Sequence, residues 1–87
     1  MQTPMQLVYF AKVRETIGRA SEMIAPPSNV QCIGDMIDWL SQKSPEYAAA
    51  FVDHSTLRFA LDQVMATTET AITGAKELAI FPPVTGG

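Results

Sequence analysis

The last seven residues, FPPVTGG, contain the group in this sequence that is best suited to chemistry. Pro82 and Pro83 carry no N–H, so they end a sheet ladder and hold the backbone extended. Gly86 and Gly87 place no side chain beside the terminal carboxylate, which allows close approach to another backbone. A carboxylate presented in this way can be activated with ATP as an acyl-adenylate and then attacked by a nucleophile.

The segment 82–87 is therefore predicted to be an extended arm that enters a narrow site on another protein. Its reach from Pro82 to Gly87 is at most roughly 20 Å, at about 3.3–3.6 Å per residue. Val84 and Thr85 are β-branched and stiff at χ1. A frayed Gly-Gly terminus without a function is the alternative, but the two prolines and the apolar Phe81 before them favour an arm.

No other residue in the sequence competes for the reacting role. His54, the single histidine, lies in a predicted turn, and Cys32 has no neighbouring cation, so we expect a packed or half-buried thiol. The nine acidic residues are scattered without an evident acid/base pair. No spacing typical of a metal, phosphate or dinucleotide site occurs, so we expect no metal. Gly87 remains as the reacting group, and its catalysts must come from another protein.

Composition indicates one cytoplasmic domain of residues 1–81 that carries the arm 82–87. A chain of 87 residues is long enough to fold alone. Its net charge of −3 and the lack of a basic run argue against nucleic acid as a partner. A single cysteine fits a reducing cytoplasm. Neither a signal peptide nor a membrane-spanning apolar run is present in the sequence, so no membrane partner is expected.

Hydrophobic patterning predicts an α+β roll. Strands are predicted at 5–12, 19–25, 57–61, 64–66 and 77–81, with the first two paired as a hairpin. A main helix is predicted at 30–43, with Asn29 as its N-cap, and a short helix at 45–52, with Ser44 as its N-cap. The remaining stretches, 13–18, 53–55 and 67–74, are predicted as loops and turns. The order β-β-α-β-β-β places one helix against one sheet.

Alternation along these elements predicts which residues are buried. The helix stripe is Val30, Ile33, Met36, Ile37 and Leu40. The inward strand positions are Met5, Leu7, Tyr9, Ala11, Leu57, Phe59, Leu61, Leu78 and Ile80. Apolar side chains also occupy the other face of the sheet, at Val8, Phe10, Met65, Ala79 and Phe81. Such an exposed patch is typical of an interface, unless these side chains cover each other or the strand registers differ by one.

Three segments of the sequence resemble the MoaD/ThiS family of sulfur carriers, which includes the small subunits of molybdopterin synthase. They are the FPPVTGG tail, FAKVRE at 10–15 and LRFALDQVM at 57–65. The likeness covers residues 5–87, and the tail is its specific part. Asp62 departs from the pattern, because many members carry Asn there. The resemblance implies a ubiquitin-like β-grasp fold, with a mixed sheet packed on one main helix and a flexible Gly-Gly tail.

The resemblance also implies a reaction at the terminus. An E1-like enzyme adenylates Gly87 with ATP, and a sulfur donor protein converts the carboxylate to a thiocarboxylate. Gly86 is small enough for the tail to thread into the large subunit of molybdopterin synthase, where the sulfur passes to cyclic pyranopterin monophosphate in molybdenum cofactor biosynthesis. The resemblance further implies that this chain binds no cofactor itself and is a sulfur-donating, non-catalytic subunit of a heterotetrameric transferase whose catalytic groups belong to the large subunit.

Partner contacts follow from the same resemblance. They fall at Phe10, Met65, Phe81, Pro82, Pro83, Val84 and Thr85. Two alternatives stay open at this point. One is a sulfur carrier for thiamine synthesis or tRNA thiolation, and the other is a ubiquitin-like modifier or interaction domain whose Gly87 is conjugated to lysine or unused.

Overall fold

The computed structural model describes residues 4–52 and 56–82, and within them five strands and three helices are formed. The strands are β1 (Met5–Tyr9), β2 (Ser21–Ile24), β3 (Arg58–Leu61), β4 (Val64–Ala66) and β5 (Glu77–Phe81). The helices are α1 (Ala11–Ile17), α2 (Ile33–Ser41) and α3 (Pro45–Ala50). The predicted turn at 53–55, with His54, lies outside the described residues.

The strands form one mixed sheet in the order β2-β1-β5-β3-β4. The β1–β2 hairpin is antiparallel, as predicted. The last strand, β5, inserts between β1, to which it is parallel, and β3, to which it is antiparallel. The short β4 then closes the other edge against β3. The strand that leads into the C-terminal arm is therefore the central strand of the sheet.

The core lies between the inner face of the sheet and α2. The predicted helix stripe is buried in full: Val30, Ile33, Met36, Ile37 and Leu40. The predicted inward strand residues are also buried, namely Met5, Leu7, Tyr9, Leu57, Phe59, Leu78 and Ile80. Leu61 is only half-buried, because it ends β3 at an exposed turn. Burial of each large aliphatic side chain contributes about 1.5–3 kcal/mol, so this packing holds the two layers together.

The strand predicted over 5–12 forms, but it ends three residues early, and the prediction of a loop over 13–18 was wrong. The strand β1 ends at Tyr9, and residues 11–17 form the helix α1. Val13 and Ile17 are buried at i, i+4 spacing, and the Gly18 N–H donates to the Arg14 carbonyl with Gly18 at φ 92°. Ala11, predicted to point inward, is exposed because it begins this helix.

The helix α2 is shorter than predicted and begins without its expected N-cap. Cys32, not Asn29, is the N-cap residue, and its side chain makes no cap hydrogen bond. Carbonyl groups of the 67–74 loop cap the helix instead. The N–H of Ile33 donates to Thr70 O at 3.0 Å, and the N–H of Gly34 donates to Thr68 O at 2.8 Å. A Cβ on Gly34 would lie 3.2 Å from Thr68 O, so this close approach explains a glycine inside the helix.

The short helix α3 starts as predicted and ends earlier. Ser44 Oγ accepts a hydrogen bond from the Tyr47 N–H at 3.4 Å, and Pro45 occupies the first helical position. The last helical residue is Ala50, where the sequence predicted 52. Among the helices of the described residues, none has the length and apolar character needed to cross a membrane.

Asp62 joins the β3–β4 turn to the start of β5. Asp62 and Gln63 have φ of 50° and 70°, which is the pattern of a two-residue hairpin turn. Asp62 Oδ1 accepts hydrogen bonds from the N–H groups of Lys76 and Glu77, at 2.9 and 3.0 Å. Its own N–H donates to Glu77 O at 2.9 Å. The residue that departs from the family pattern therefore makes a definite contact.

These contacts predict how substitutions of Asp62 affect stability. Asp62→Asn keeps an acceptor at Oδ1 and tolerates a positive φ, so we expect a change within about 0.5 kcal/mol. Asp62→Ala removes both hydrogen bonds and puts alanine, which tolerates the left-handed region less well than Asp or Asn, at a positive φ, so we expect a loss of about 1–2 kcal/mol. Urea denaturation of the two variants checks this. Equal stabilities of the Asn and Ala variants would contradict a role for the acceptor.

Candidate functional site

The C-terminal arm starts from a strand that is hydrogen-bonded on both sides. Leu78 and Ile80 of β5 are fully buried, whereas Phe81 and Pro82 are half-buried. Residues 83–87 lie outside the described residues. The predicted roles of Pro83, Val84, Thr85, Gly86 and Gly87 therefore stay predictions. The structure adds that the root of the arm is held by the centre of the sheet.

Beside this root, four apolar residues form a row across the outer face of the sheet. The registers pair Val8 with Ala79, Ala79 with Ala60, and Ala60 with Met65. We call these four residues the outer row. Ala60 was missed at the sequence level, although alternation with the buried Phe59 places it on this face. The predicted patch is therefore continuous from β1 to β4.

The members of this face differ in exposure. Met65 and Phe10 are 62% and 48% exposed, and Val8, Ala60 and Phe81 are half-buried. Ala79 is only 7% exposed, so the expectation of an exposed side chain there was wrong. It lies on the outer face, but a methyl group between two neighbouring strands is shielded by its partners. Ala79 is therefore the buried member of the outer row.

Phe10 and Phe81 form an aromatic pair at the root of the arm. Their ring centroids are 6.2 Å apart and their planes meet at 85°, an edge-to-face contact. Such pairs contribute about 0.5–1.5 kcal/mol beyond their buried area. The Phe10 N–H also donates to Ile80 O at 3.2 Å. The two rings cover each other in part, yet Phe10 keeps about half of its surface exposed. The outer row and this pair are together called the apolar face.

Polar residues flank the apolar face. On one side the registers pair Met23 with Gln6 and Gln6 with Glu77, and on the other side Arg58 pairs with Phe81. The Arg58 guanidinium donates to the carbonyl of Leu57 at 3.2 Å. An apolar centre with a polar rim is the usual anatomy of a protein interface. The arrangement can therefore dock a partner beside the arm.

A groove of about 210 Å³ lies on the other side of Pro82. Its apolar wall includes Val13, Ala50 and Leu57, and Lys12 lies in its lining. Sequence reasoning missed this groove because it depends on α1, which was predicted as a loop. Pro82, the first residue of the arm, thus lines this groove and directly follows Phe81 of the aromatic pair.

A cluster around Glu22 holds the end of β1. The Tyr9 hydroxyl donates to Glu22 Oε2 at 2.6 Å, and the Tyr47 hydroxyl of α3 donates to the same oxygen. Arg19 Nη1 lies 3.2 Å from Glu22 Oε1. The carboxylate therefore connects β1, β2 and α3, directly beside the point at which the chain reaches Phe10. No sequence signal joined these residues, which come from three separate elements.

The same cluster shifts the ionisation of both tyrosines. Burial raises the pKa of the Tyr9 phenol far above its usual value, and the hydrogen bond to Glu22 raises this pKa further. Burial and the hydrogen bond to Glu22 also raise the pKa of Tyr47, whereas Arg19 lowers it. Both phenols thus stay protonated and act as donors. Their role is to hold the fold.

The remaining candidate, Cys32, is half-buried as expected and pairs with Ala71 in an isolated β-bridge. Among the residues that the structure describes, no group of three or more His, Cys, Asp or Glu side chains could hold a metal ion. The described part of the site is therefore an apolar face at the root of an arm. The reacting group predicted for the site lies at the end of that arm.

Comparisons with known sequences agree on one family. The family model described as the ThiS family matches residues 7–87. The chain is 31% identical over 83 residues to the molybdopterin synthase sulfur carrier subunit of Haemophilus influenzae, and 95% of this chain and 99% of that protein are covered. The subunit of the same name from Escherichia coli K12 is 32% identical over 84 residues, with the same shares covered.

Solved structures match the fold over nearly the whole chain. The crystal structure of small archaeal modifier protein 1 from Haloferax volcanii superposes with a TM-score of 0.74 at 24% identity, covering 94% of this chain and 99% of that one. The solution structure of small archaeal modifier protein 1 from Methanosarcina acetivorans gives a TM-score of 0.71 at 20% identity, covering 100% and 99%. The expected ubiquitin-like β-grasp fold is confirmed.

The tyrosine cluster predicts alkaline destabilisation. Unfolded tyrosine has a pKa of about 10, and folding raises the pKa of Tyr9. The folded state therefore keeps a proton that the unfolded state loses, and stability falls as the pH rises above about 10. For Tyr9 the slope is up to about 1.4 kcal/mol per pH unit. Urea denaturation between pH 8 and 11 should show a flatter fall for Tyr9→Phe. An unchanged slope in Tyr9→Phe would contradict this assignment.

Proposed function

This chain belongs to the ThiS family, and from that premise we propose that it is a sulfur carrier that acts through the carboxylate of Gly87. One observation carries the proposal. The likeness to proteins named molybdopterin synthase sulfur carrier subunit extends over nearly the full length of both chains, and the family match runs to residue 87. The Gly86-Gly87 terminus is thus part of the shared pattern.

The chemistry requires that the carboxylate be activated and then exchanged. An E1-like enzyme uses ATP, and a carboxylate oxygen of Gly87 attacks the α-phosphorus while pyrophosphate leaves. The terminal sulfur of a donor persulfide then attacks the acyl carbon and AMP leaves, which forms an acyl disulfide. A thiol attacks the donor's sulfur in this S–S bond, so that the thiocarboxylate of Gly87 leaves with the bonding electron pair and the donor is released as a disulfide. The absence of a Cβ at Gly86 and Gly87 lets two different active sites approach the same carbon.

The apolar face supports docking on the large subunit of molybdopterin synthase. Phe10, Met65 and Phe81 supply apolar contacts, and the arm enters the partner through Pro82, Pro83, Val84 and Thr85. The root of the arm adjoins the Phe10–Phe81 pair. Docking of the domain and threading of the terminus therefore happen together, and a fully extended arm would reach at most about 20 Å.

Within that complex the carrier supplies sulfur and the partner supplies the catalytic groups. The thiocarboxylate sulfur passes to cyclic pyranopterin monophosphate in molybdenum cofactor biosynthesis. The tyrosine phenols with raised pKa values in the described part of the chain are bound to Glu22 and hold the fold. A cytoplasmic location is proposed with this function, because a chain with one cysteine fits a reducing compartment.

The sulfur-carrier assignment predicts a mass change. After incubation with the activating enzyme, ATP and a sulfur donor, intact mass spectrometry should show replacement of one oxygen by sulfur at Gly87. A chain that lacks Gly87 is the matched control, and it should show no gain. Its unfolding temperature should stay nearly unchanged, because the core of the described residues ends at Ile80.

The alternatives give other outcomes in the same assay. An isopeptide-linked product would indicate a ubiquitin-like modifier, and an unchanged mass would contradict a carrier. Addition of the large subunit and the pterin precursor then tests the pathway. A thiocarboxylate that persists without dithiolene product would favour a carrier for thiamine synthesis or tRNA thiolation.

Docking through the apolar face predicts that Phe81→Asp weakens binding to the large subunit more than it weakens folding. A charge beside Phe10 should weaken binding to the large subunit about 100-fold, or about 2.8 kcal/mol. Loss of the aromatic pair should lower the free energy of unfolding by only about 1 kcal/mol. Calorimetric titration and urea denaturation measure the two effects.

Val64→Asp is the control for the added charge. Val64 is 68% exposed, and its register with Leu61 places it on the opposite face of the sheet from Met65. We expect its binding to be unchanged. Equal losses of binding in Phe81→Asp and Val64→Asp would contradict docking through the apolar face.

A further inference from the structure

Two methionines stand out on the surface of the sheet. Met23 in β2 and Met65 in β4 are 64% and 62% exposed, and they lie on the two edge strands. Two others, Met5 and Met36, are 2% and 0% exposed. The thioether is a target of oxidation, and accessibility decides which methionine reacts. Solvent oxidants therefore reach Met23 and Met65 before the two buried methionines.

The two exposed methionines share a face but have different neighbours. Met65 pairs with Ala60 and ends the apolar outer row. Met23 pairs with Gln6, which in turn pairs with Glu77, so Met23 begins the polar row beside it. The two side chains match in type, exposure and position on an edge strand. They differ in whether they adjoin the apolar face.

We propose that Met65 is an oxidation site through which peroxide weakens docking of the free carrier. The inference rests on the proposed function, because it takes the apolar face as the surface that meets the large subunit. Oxidation of Met23 leaves docking unchanged, because a polar group there joins a polar row. The sheet thus carries one oxidisable methionine that controls docking and one that does not.

The chemistry balances with peroxide as the only co-reactant. The methionine sulfur attacks one peroxide oxygen, the O–O bond breaks, and a sulfur–oxygen bond forms. The sulfur loses two electrons, and the second oxygen leaves as water with both protons of hydrogen peroxide. The flexible apolar side chain becomes a polar sulfoxide, which sulfoxide reductases convert back.

The effect on docking follows from the environment of Met65. In the outer row Met65 lies opposite Ala60, whose methyl group offers no hydrogen bond to a sulfoxide oxygen. When a partner covers the row, this oxygen loses its water without gaining a donor, and burial of such a group is unfavourable. We expect affinity for the large subunit to fall about tenfold. A docked partner also shields Met65, so the free carrier is the form that reacts.

The test begins with the full-length chain treated with dilute hydrogen peroxide and then with a thiol reductant. The reductant converts any sulfenic acid or disulfide of Cys32 back to the thiol, and it leaves methionine sulfoxide in place. Peptide mapping should find oxygen at Met23 and Met65 well before Met5 and Met36. Preferential oxidation of the buried pair would overturn the inference.

Binding to the large subunit is then measured by calorimetry for wild type, Met65→Leu and Met23→Leu, before and after peroxide. After peroxide, wild type and Met23→Leu should each bind about tenfold more weakly than before treatment, whereas the affinity of Met65→Leu should be the same before and after treatment. An equal loss in Met65→Leu, or no loss in wild type, would overturn the role of Met65. Unfolding temperatures of the oxidised proteins should stay close together, which separates docking from folding.

A polar substitution without oxidant gives an independent measurement. Met65→Gln should weaken binding about tenfold, and Met23→Gln should leave it unchanged. Equal effects of the two substitutions would overturn the inference. If the untreated wild type fails to bind the large subunit at all, the proposed docking function itself is overturned, and the inference falls with it. Binding that peroxide leaves unchanged overturns the inference alone.

Discussion

The hydrogen bonding of β5 on both sides is the constraint on which this structure depends. The strand is the last in the sequence, yet it lies between β1 and β3 at the centre of the sheet. Its inward residues, Leu78 and Ile80, belong to the core, and its outward residues, Ala79 and Phe81, belong to the apolar face. The arm continues this strand directly. Any movement of the root would break contacts with two neighbouring strands and with the core.

Because a strand alternates its side chains, one short segment can serve two purposes. The inner half of β5 stabilises the domain by packing among the core residues. The outer half places apolar side chains on a surface that α2 does not cover. The Phe10–Phe81 contact limits the exposed aromatic area, and the polar row beside it bounds the patch. The domain can thus keep an apolar outer surface without giving up its core.

Two carboxylates in the described part of the chain, Glu22 and Asp62, stabilise the fold. Glu22 accepts hydrogen bonds from Tyr9 and Tyr47 and forms an ion pair with Arg19, and so it connects β1, β2 and α3. Asp62 binds the backbone at the start of β5 and thereby connects the β3–β4 turn to the central strand. Both contacts act on the strands that present the apolar face. These two carboxylates thus contribute to the construction of the domain, and the chemistry proposed for the terminus does not use them.

Some features of this protein are determined by local sequence. The helix stripe from Ile33 to Leu40 follows from spacing, because residues on one side of a helix recur at fixed intervals. The cap at Ser44 and the inward positions of β1, β3 and β5 follow from equally local rules. The extended character of the arm stays a prediction from equally local rules, since two prolines restrict the backbone and two glycines free it. Its reaction remains a proposal.

Other features were decided by the tertiary structure. The boundary at Tyr9 and the helix after it depend on burial of Val13 and Ile17 in the core. Gly34 is needed because Thr68, in a distant loop, approaches its backbone. Ala60 joins the outer row, and Ala79 becomes buried within it, only because β5 lies between two other strands. These outcomes depend on contacts between residues far apart in the chain. Residue type and spacing specify which faces a segment has, and packing specifies what each face meets.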